Sequence, residues 1–269
     1  MTSEIIHLSE KHPEATLKTY IAETSQEMPF NNKRKAVLIC PGGAYCYCSD
    51  REGEAIALYY LARGFNAFVL RYTTRREGGK YPIQLIQASQ CMQIIRSNAE
   101  RFHINPEKVF VVGFSAGGHL AASLGIMWHK QFIFDELGIE YGVNKPTGMV
   151  LGYPVITSGK YAHRGSIDAL ANLPTATDPE FLKEVSLEKQ VTKKTVPAFV
   201  WHTFTDTTVP VLNSLLLTEA MAKKKVPFEL HVYPYGGHGQ SLCNNIVGSN
   251  LSYCEGWIEQ SVKWMNLFD

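Results

Sequence analysis

Short apolar runs alternate with segments of helical periodicity along most of this 269-residue chain. The runs "AVLIC" (36–40) and "VFVVGF" (109–114) are almost wholly apolar, as strands buried on both faces are. The segment "REGEAIALYYLARGFN" (51–66) instead has apolar residues at helical spacing and ends near Gly64, a residue suited to the end of a helix. Strands that alternate with helices in this way predict a mostly parallel central sheet with helices on both faces, a three-layer α/β/α sandwich.

The same alternation continues to the end of the chain. Further predicted strands are "AFVLRY" (67–72), "TGMVLGYPV" (147–155), "VPAFVWHTF" (196–204) and "PFELHVYP" (227–234). Further predicted helices cover residues 81–102, 116–125, 209–225 and 254–268. Polar and apolar residues alternate in "ATLKTYIAE" (15–23), which predicts an antiparallel edge strand.

No internal repeat or Pro/Gly/Ser-rich linker divides the sequence. We therefore expect a single domain over residues 1–269, with its core at about 35–269. The least regular parts, residues 128–147 and 157–190, interrupt the alternation after predicted strands. Because sheet proteins of this kind carry their pockets on such segments, these are candidates for the substrate-binding region.

Composition excludes several classes of protein. With 26 basic and 25 acidic side chains, the chain has no net field that would favour nucleic acid or an anionic membrane. The N-terminus resembles no signal peptide and no apolar run approaches a membrane span, which predicts a cytoplasmic location. The six cysteines lack the density of a disulfide framework and the usual spacing of a metal site, so we expect no metal.

The segment "GFSAGGH" (113–119) joins a predicted strand directly to a predicted helix. A strand, a sharp turn of the form G-x-S-x-G and a helix together make a nucleophile elbow, which presents Ser115 at the carboxyl edge of the sheet. A glycine-rich turn that merely packs strand against helix is the alternative. The helix start also supplies free N–H groups near any developing negative charge.

A serine hydroxyl needs a base to take its proton and a carboxylate to orient that base. His238, in the glycine-rich segment "YGGHG" after the last predicted strand, is the candidate base. Asp206, in "HTFTDTTVP" just beyond another strand, is the candidate acid, although an aspartate there could also cap the turn. His202 is interpreted as structural. The chain order serine, aspartate, histidine is that of an α/β hydrolase.

Backbone N–H groups must stabilise the oxyanion that forms when a carbonyl is attacked. Candidate donors are Ala116, directly after the serine, and the amides of "PGGA" at Gly42, Gly43 and Ala44, where a buried strand ends. Aromatic and polar side chains near these strand ends are candidate substrate contacts. They are Tyr45, Tyr47, His119 and Tyr153.

Taken in order, "PGGAY", "GFSAGGHLAA", "HTFTDTTVP" and "YGGHG" resemble the α/β-hydrolase esterase/lipase family, in particular its acetyl-esterase and acetylxylan-esterase-like branch. The resemblance covers about residues 35–269 and implies a nucleophile at Ser115, an acid at Asp206 and a base at His238. Many relatives begin the oxyanion loop with His-Gly-Gly, whereas Pro41 stands here in place of that histidine. Which loop amide faces the oxyanion therefore stays open.

The expected function is hydrolysis of small carboxylic esters, including acetylated sugars, through an acyl-enzyme. The expected partner is a small-molecule ester, and no cofactor is implied. The alternatives are a peptidase or aryl-formamidase on the same residues, and a catalytically silent hydrolase fold that serves as a small-molecule receptor. The sequence leaves the oligomeric state open, with a homodimer among the options.

Overall fold

The structure is a computed structural model that describes residues 1–27 and 33–268. Within these residues, eight strands form one sheet in the order β1-β2-β4-β3-β5-β6-β7-β8. The two N-terminal strands pair antiparallel, and all pairs from β4 to β8 are parallel. The strands are β1 (Ile5–His7), β2 (Thr16–Tyr20), β3 (Arg34–Cys40), β4 (Asn66–Arg71), β5 (Ile104–Phe114), β6 (Met149–Gly152), β7 (Ala198–Thr203) and β8 (Phe228–Tyr233).

Helices connect the parallel strands and cover both faces of the sheet. They are α1 (Glu54–Ala62), α2 (Ile83–Ser97), α3 (Ser115–Met127), α4 (Gln131–Leu137), α5 (Arg164–Leu170), α6 (Pro179–Glu184), α7 (Leu212–Lys224) and α8 (Trp257–Met265). A short 3-10 turn, Asp50–Glu52, precedes α1. Among the described residues, no helix is long and apolar enough to cross a membrane.

Two hydrophobic clusters lie on opposite faces of the sheet, because neighbouring residues of a strand point to opposite sides. In β3, Leu38 belongs to the cluster that contains Leu85 of α2 and Leu217 of α7. Ile39, the next residue, belongs to the cluster that contains Ile56 of α1 and Trp257 of α8. The predicted three-layer α/β architecture is confirmed.

Most predicted elements occur close to their expected bounds, with one correction at the sheet edge. The segment 15–23 does form an antiparallel strand, β2, but β1 pairs outside it and takes the edge position. β1 has only three residues, Ile5–His7, which is too short a segment to show the alternation that marks a strand. The predicted domain of residues 1–269 also includes residues 28–32 and 269, which lie outside the described residues; its unity stays a prediction.

Candidate active site

Ser115 lies at the sharp turn between β5 and α3, with a backbone φ of 53°. A non-glycine residue in this left-handed region is strained, and such strain is found where a side chain must be presented at a fixed point. The turn requires close packing of its backbone against the end of β3. A Cβ added at Gly117 would lie 2.1 Å from the carbonyl oxygen of Cys40, so only glycine fits there.

The structure brings Ser115, His238 and Asp206 into one chain of hydrogen bonds. The Oγ of Ser115 lies 2.7 Å from Nε2 of His238, and Nδ1 of His238 lies 2.6 Å from Oδ2 of Asp206. Because the carboxylate can only accept, Nδ1 of His238 carries the proton and Nε2 is left to accept from the serine hydroxyl. This is the arrangement that activates a serine hydroxyl as a nucleophile.

Both sequence interpretations of Asp206 describe part of its surroundings. Its Oδ1 accepts the N–H groups of Thr208 and Val209 and so caps the turn, while Oδ2 faces His238. Burial by itself raises the pKa of the Asp206 carboxyl, but the adjacent imidazoles of His202 and His238 outweigh burial and bring that pKa below its usual range. Asp206 is therefore held as a carboxylate with a fixed orientation.

His202 has structural partners, as its position at the end of β7 suggests. Its Nε2 lies 2.8 Å from the carbonyl oxygen of Val209, and its Nδ1 lies 2.7 Å from Oγ of Ser214. The Nε2 atom also lies 3.5 Å from Oδ2 of Asp206. His202 thus supports the turn that carries the carboxylate, and within the described residues its ring nitrogens bond to Val209 and Ser214 rather than to Ser115.

One of the oxyanion donors predicted in the loop after β3 is corrected by the structure. The N–H of Gly42 donates to Oε2 of Glu52 over 2.8 Å, so this N–H is already bonded to a protein carboxylate. We therefore withdraw Gly42 as an oxyanion donor. Across residues 1–27 and 33–268, no hydrogen bond uses the N–H groups of Gly43, Ala44 or Ala116. The Ala116 amide is free because it belongs to the first turn of α3.

Three of the four predicted substrate contacts are corrected by their burial. Tyr45, His119 and Tyr153 are each 1% exposed, and their polar atoms bind protein groups. The Tyr45 hydroxyl pairs with Nδ1 of His119 over 2.8 Å, and the Tyr153 hydroxyl donates to Oε1 of Glu52 over 2.6 Å. Only Tyr47 of this set is exposed, at 51%, with the Arg76 guanidinium over its ring.

Sequence reasoning assigned no role to two residues that lie near Ser115 and His238. Glu52 is buried beside the loop after β3, but its segment "REGE" looks like the charged start of a surface helix. His163 caps α5 through Nδ1, and burial together with the neighbouring His238 lowers its pKa. Its position within the irregular segment 157–190 was the available signal, since such segments border pockets.

The mostly parallel sheet, covered by helices on both faces, is the fold of an α/β hydrolase. Residues 26–221 match the BD-FAE family, and the chain belongs to that family. Endo-1,4-beta-xylanase B of Butyrivibrio fibrisolvens is 40% identical over 237 residues, which cover 86% of this chain and 36% of that protein. The acetylxylan esterase of Xylanibacter ruminicola is 30% identical over 216 residues, which cover 79% of this chain and 42% of that protein.

The chain therefore spans less than half the length of these two relatives. Solved structures match it over nearly its full length. The acetyl ester-xyloside bifunctional hydrolase of Caldicellulosiruptor lactoaceticus has a TM-score of 0.84 at 32% identity and covers 98% of this chain and 96% of its own. A carboxylesterase of Lactobacillus plantarum has a TM-score of 0.87 at 26% identity, with 99% and 98% covered.

Proposed function

We propose that this protein is a serine esterase that hydrolyses small carboxylic esters, with acetylated sugars as its substrate class. The observation that carries the proposal is the chain of hydrogen bonds from Ser115 through His238 to Asp206 at the carboxyl edge of the sheet. Relatives named acetylxylan esterase and acetyl ester-xyloside hydrolase support the choice of acetylated sugars. The proposed reaction needs no cofactor.

In the proposed mechanism, the Ser115 oxygen attacks the ester carbonyl carbon while Nε2 of His238 takes the hydroxyl proton. Asp206 holds Nδ1 of His238 and stabilises the imidazolium that forms. The carbonyl oxygen becomes an anion and accepts the Ala116 N–H together with the N–H of Gly43 or Ala44. His238 then protonates the departing alcohol, and the acetyl group stays on Ser115.

Water then hydrolyses the acyl-enzyme, with His238 again acting first as the base and then as the acid. His238, neutral again, takes a proton from the water whose oxygen attacks the acetyl carbon on Ser115. The second tetrahedral intermediate uses the same N–H donors. It breaks down when His238 returns its proton to the serine oxygen, which releases acetate and restores the free enzyme.

The experiment that tests this function is a substrate panel with Ser115→Ala as its control. Acetylated xylose and its oligomers, nitrophenyl esters from acetyl to decanoyl, short peptides and aryl formamides are compared by kcat/KM. The proposal predicts the highest values for acetyl esters and release of acetate from the acetylated sugars. Faster cleavage of peptides or formamides would select the alternative enzyme activities, and a wholly inactive protein would select the receptor.

The proposed partner is the ester substrate alone. The oligomeric state, with a homodimer among the options, is a question for sedimentation of the purified protein.

A further inference from the structure

Glu52 is a buried carboxylate that the proposed mechanism does not use. It is 3% exposed and lies in the Asp50–Glu52 turn that precedes α1. A Cβ added at Gly42 would lie 2.6 Å from Oε2 of Glu52 and 3.0 Å from Cβ of Ser115. The carboxylate is therefore adjacent to the proposed nucleophile. A buried charge is costly unless it is fully hydrogen-bonded, so its partners indicate what it does.

One partner of Glu52 fixes the loop that follows β3. The peptide unit between Pro41 and Gly42 is held at both ends. Its N–H donates to Oε2 of Glu52 over 2.8 Å, and its carbonyl oxygen accepts the Tyr72 hydroxyl over 2.9 Å. This peptide cannot rotate without breaking both bonds. The next two peptides, which carry the N–H groups of Gly43 and Ala44, are held as well, because the Gly42 carbonyl oxygen accepts the N–H of Ser49 over 3.0 Å and the Gly43 carbonyl oxygen accepts the N–H of Cys46 over 2.9 Å.

The other partner of Glu52 leads to the loop that carries His238. Oε1 accepts the Tyr153 hydroxyl over 2.6 Å, and the oxygen of that hydroxyl accepts the N–H of Ser241 over 2.8 Å. The Ser241 hydroxyl in turn donates to the carbonyl oxygen of Arg51 over 2.5 Å. The turn at Arg51 and Glu52 is thus tied twice to a residue in the His238 loop.

The directions of these bonds favour an ionised Glu52. Gly42 can only donate, and the Tyr153 hydroxyl, which accepts from Ser241, donates to Glu52. Both carboxylate oxygens therefore face donors, an arrangement that suits the charged form. Burial has the larger effect and raises the pKa of the Glu52 carboxyl above its usual value, while the bonds from Tyr153 and Gly42 offset part of that rise.

We propose that Glu52 is a positioning residue that holds the oxyanion loop and the His238 loop in register. This inference rests on the esterase function proposed above. Glu52 touches no reacting atom in the proposed mechanism, so it acts through Gly42 on one side and through Tyr153 and Ser241 on the other. Its negative charge also lies near the imidazolium that forms during turnover.

Several ionisable groups surround this network from different elements. Those that face His238 are Asp206, Glu52, His163 and Tyr153, together with the Ser115 hydroxyl, while Arg51 lies beside the next residue, Gly239. Those that face Glu52 are Tyr153, Tyr72, Arg51 and His238. Asp206 and Glu52 are the carboxylates of the set. Removal of the Glu52 charge should therefore make protonation of the base less favourable, so that the acid side of the kcat/KM profile moves to lower pH.

The test compares Glu52→Gln, which keeps the shape and removes the charge, with Tyr153→Phe, which cuts the link to Ser241. Glu54→Gln is the matched control, because Glu54 lies two residues away and binds Lys18 with a side chain that is 56% exposed. Steady-state kinetics on nitrophenyl acetate as a function of pH give kcat, KM and the acid limb. Ser115→Ala and wild-type protein establish that the measured activity is that of the proposed nucleophile.

Glu52→Gln should lower kcat by about 10- to 100-fold with KM changed less than about threefold, since misplaced donors affect the transition state most. Its acid limb should move down by roughly half a pH unit. Tyr153→Phe should lower kcat by about tenfold, and Glu54→Gln should leave it within about twofold.

A Glu52→Gln protein with wild-type kcat and an unmoved acid limb would overturn the positioning role while leaving the esterase function intact. An inactive wild-type protein would instead overturn the function itself. Should Glu52→Gln fail to fold, Tyr153→Phe decides alone, and a kcat within about twofold of wild type would count against the proposal.

Discussion

Two imidazole–hydroxyl pairs each include a residue of α3, Ser115 in one and His119 in the other, and only one pair has the partners that a catalytic base needs. In the first, His238 faces the Ser115 hydroxyl over 2.7 Å and its other nitrogen binds the Asp206 carboxylate. In the second, His119 faces the Tyr45 hydroxyl over 2.8 Å and its other nitrogen binds the Val185 carbonyl. The hydroxyl distances are nearly equal, so distance alone does not distinguish a base from a structural histidine.

The difference lies in the second partner and in burial. A carboxylate can stabilise the imidazolium that a base becomes, whereas a backbone carbonyl offers much less compensation for a buried charge. Burial lowers the pKa of His119 from 6.5 to about 4, although the Val185 carbonyl opposes this shift. His119 therefore stays neutral and packs in the core, while His238 has an ionised partner and a side chain that is 18% exposed.

Removal of the hydroxyl from each pair should give the largest contrast. Ser115→Ala should lower kcat by about 10⁴- to 10⁶-fold, because the acyl-enzyme route is lost and only binding and the oxyanion donors are left. Tyr45→Phe, the matched change in the other pair, should keep kcat within about threefold of wild type. Esterase activity above a few per cent in purified Ser115→Ala would show that the nucleophile is another residue.

Removal of either imidazole beside Asp206 should distinguish the catalytic base from the structural histidine. His238→Ala should lower kcat/KM by about 10⁴-fold, whereas His202→Ala, beside the same carboxylate, should leave most of the activity. Wild-type kcat/KM should also fall on the acid side of its pH profile, because the base has to start neutral. The opposite outcome for the two variants would move the base to His202.

Loss of the carboxylate should have an intermediate effect. Asp206→Asn can keep the turn bonds to Thr208 and Val209 through its amide oxygen, but it presents an N–H to His238 and favours the wrong tautomer. We expect kcat to fall by roughly 10²- to 10⁴-fold with little change in Tm. A variant that melts much earlier yet turns over normally would reduce Asp206 to a turn cap.

The smallest effect concerns stability, and it arises from His119. Because its folded-state pKa lies below the ordinary value of 6.5, at about 4, the unfolded chain binds the proton more readily than the folded chain. The contribution of His119 to the free energy of unfolding is therefore complete above pH 6.5. It falls by about 3 kcal/mol as the pH is lowered toward 4.

Denaturant unfolding of wild type and His119→Gln from pH 7 to pH 4 checks this expectation. The variant should lose about 3 kcal/mol less than wild type over the interval, since it has no imidazole to protonate. His7→Gln, a change of an exposed histidine, is the control and should follow wild type. Equal slopes for wild type and His119→Gln would contradict a buried, neutral His119.

The sequence predicted most of the sheet because parallel strands are buried on both faces and leave long apolar runs, as in β3 and β5. It also predicted the three residues that the structure brings together. Ser115 has a local signal, a strand joined to a helix through small residues, and His238 lies in a glycine-rich loop after β8. Their catalytic roles stay predictions until the variants are measured.

The sequence failed where contacts are made between distant segments. Glu52 binds Gly42 and Tyr153, and no local pattern marks a charged residue at a helix start as buried. Tyr45 and Tyr153 were expected to line a pocket because they follow strands, but both turn into the core, where their hydroxyls find partners. The direction in which a side chain leaves a strand end depends on the packing of the whole sheet edge.

The most direct test of the central claim is the mass of the intact protein after treatment with a fluorophosphonate, which phosphonylates an activated serine. If His238 and Asp206 activate Ser115, the wild-type protein should carry a single adduct on Ser115, Ser115→Ala should carry none, and His238→Ala should react much more slowly. An adduct on Ser115→Ala, or an unmodified wild-type protein that is correctly folded, would contradict the claim that His238 and Asp206 activate Ser115.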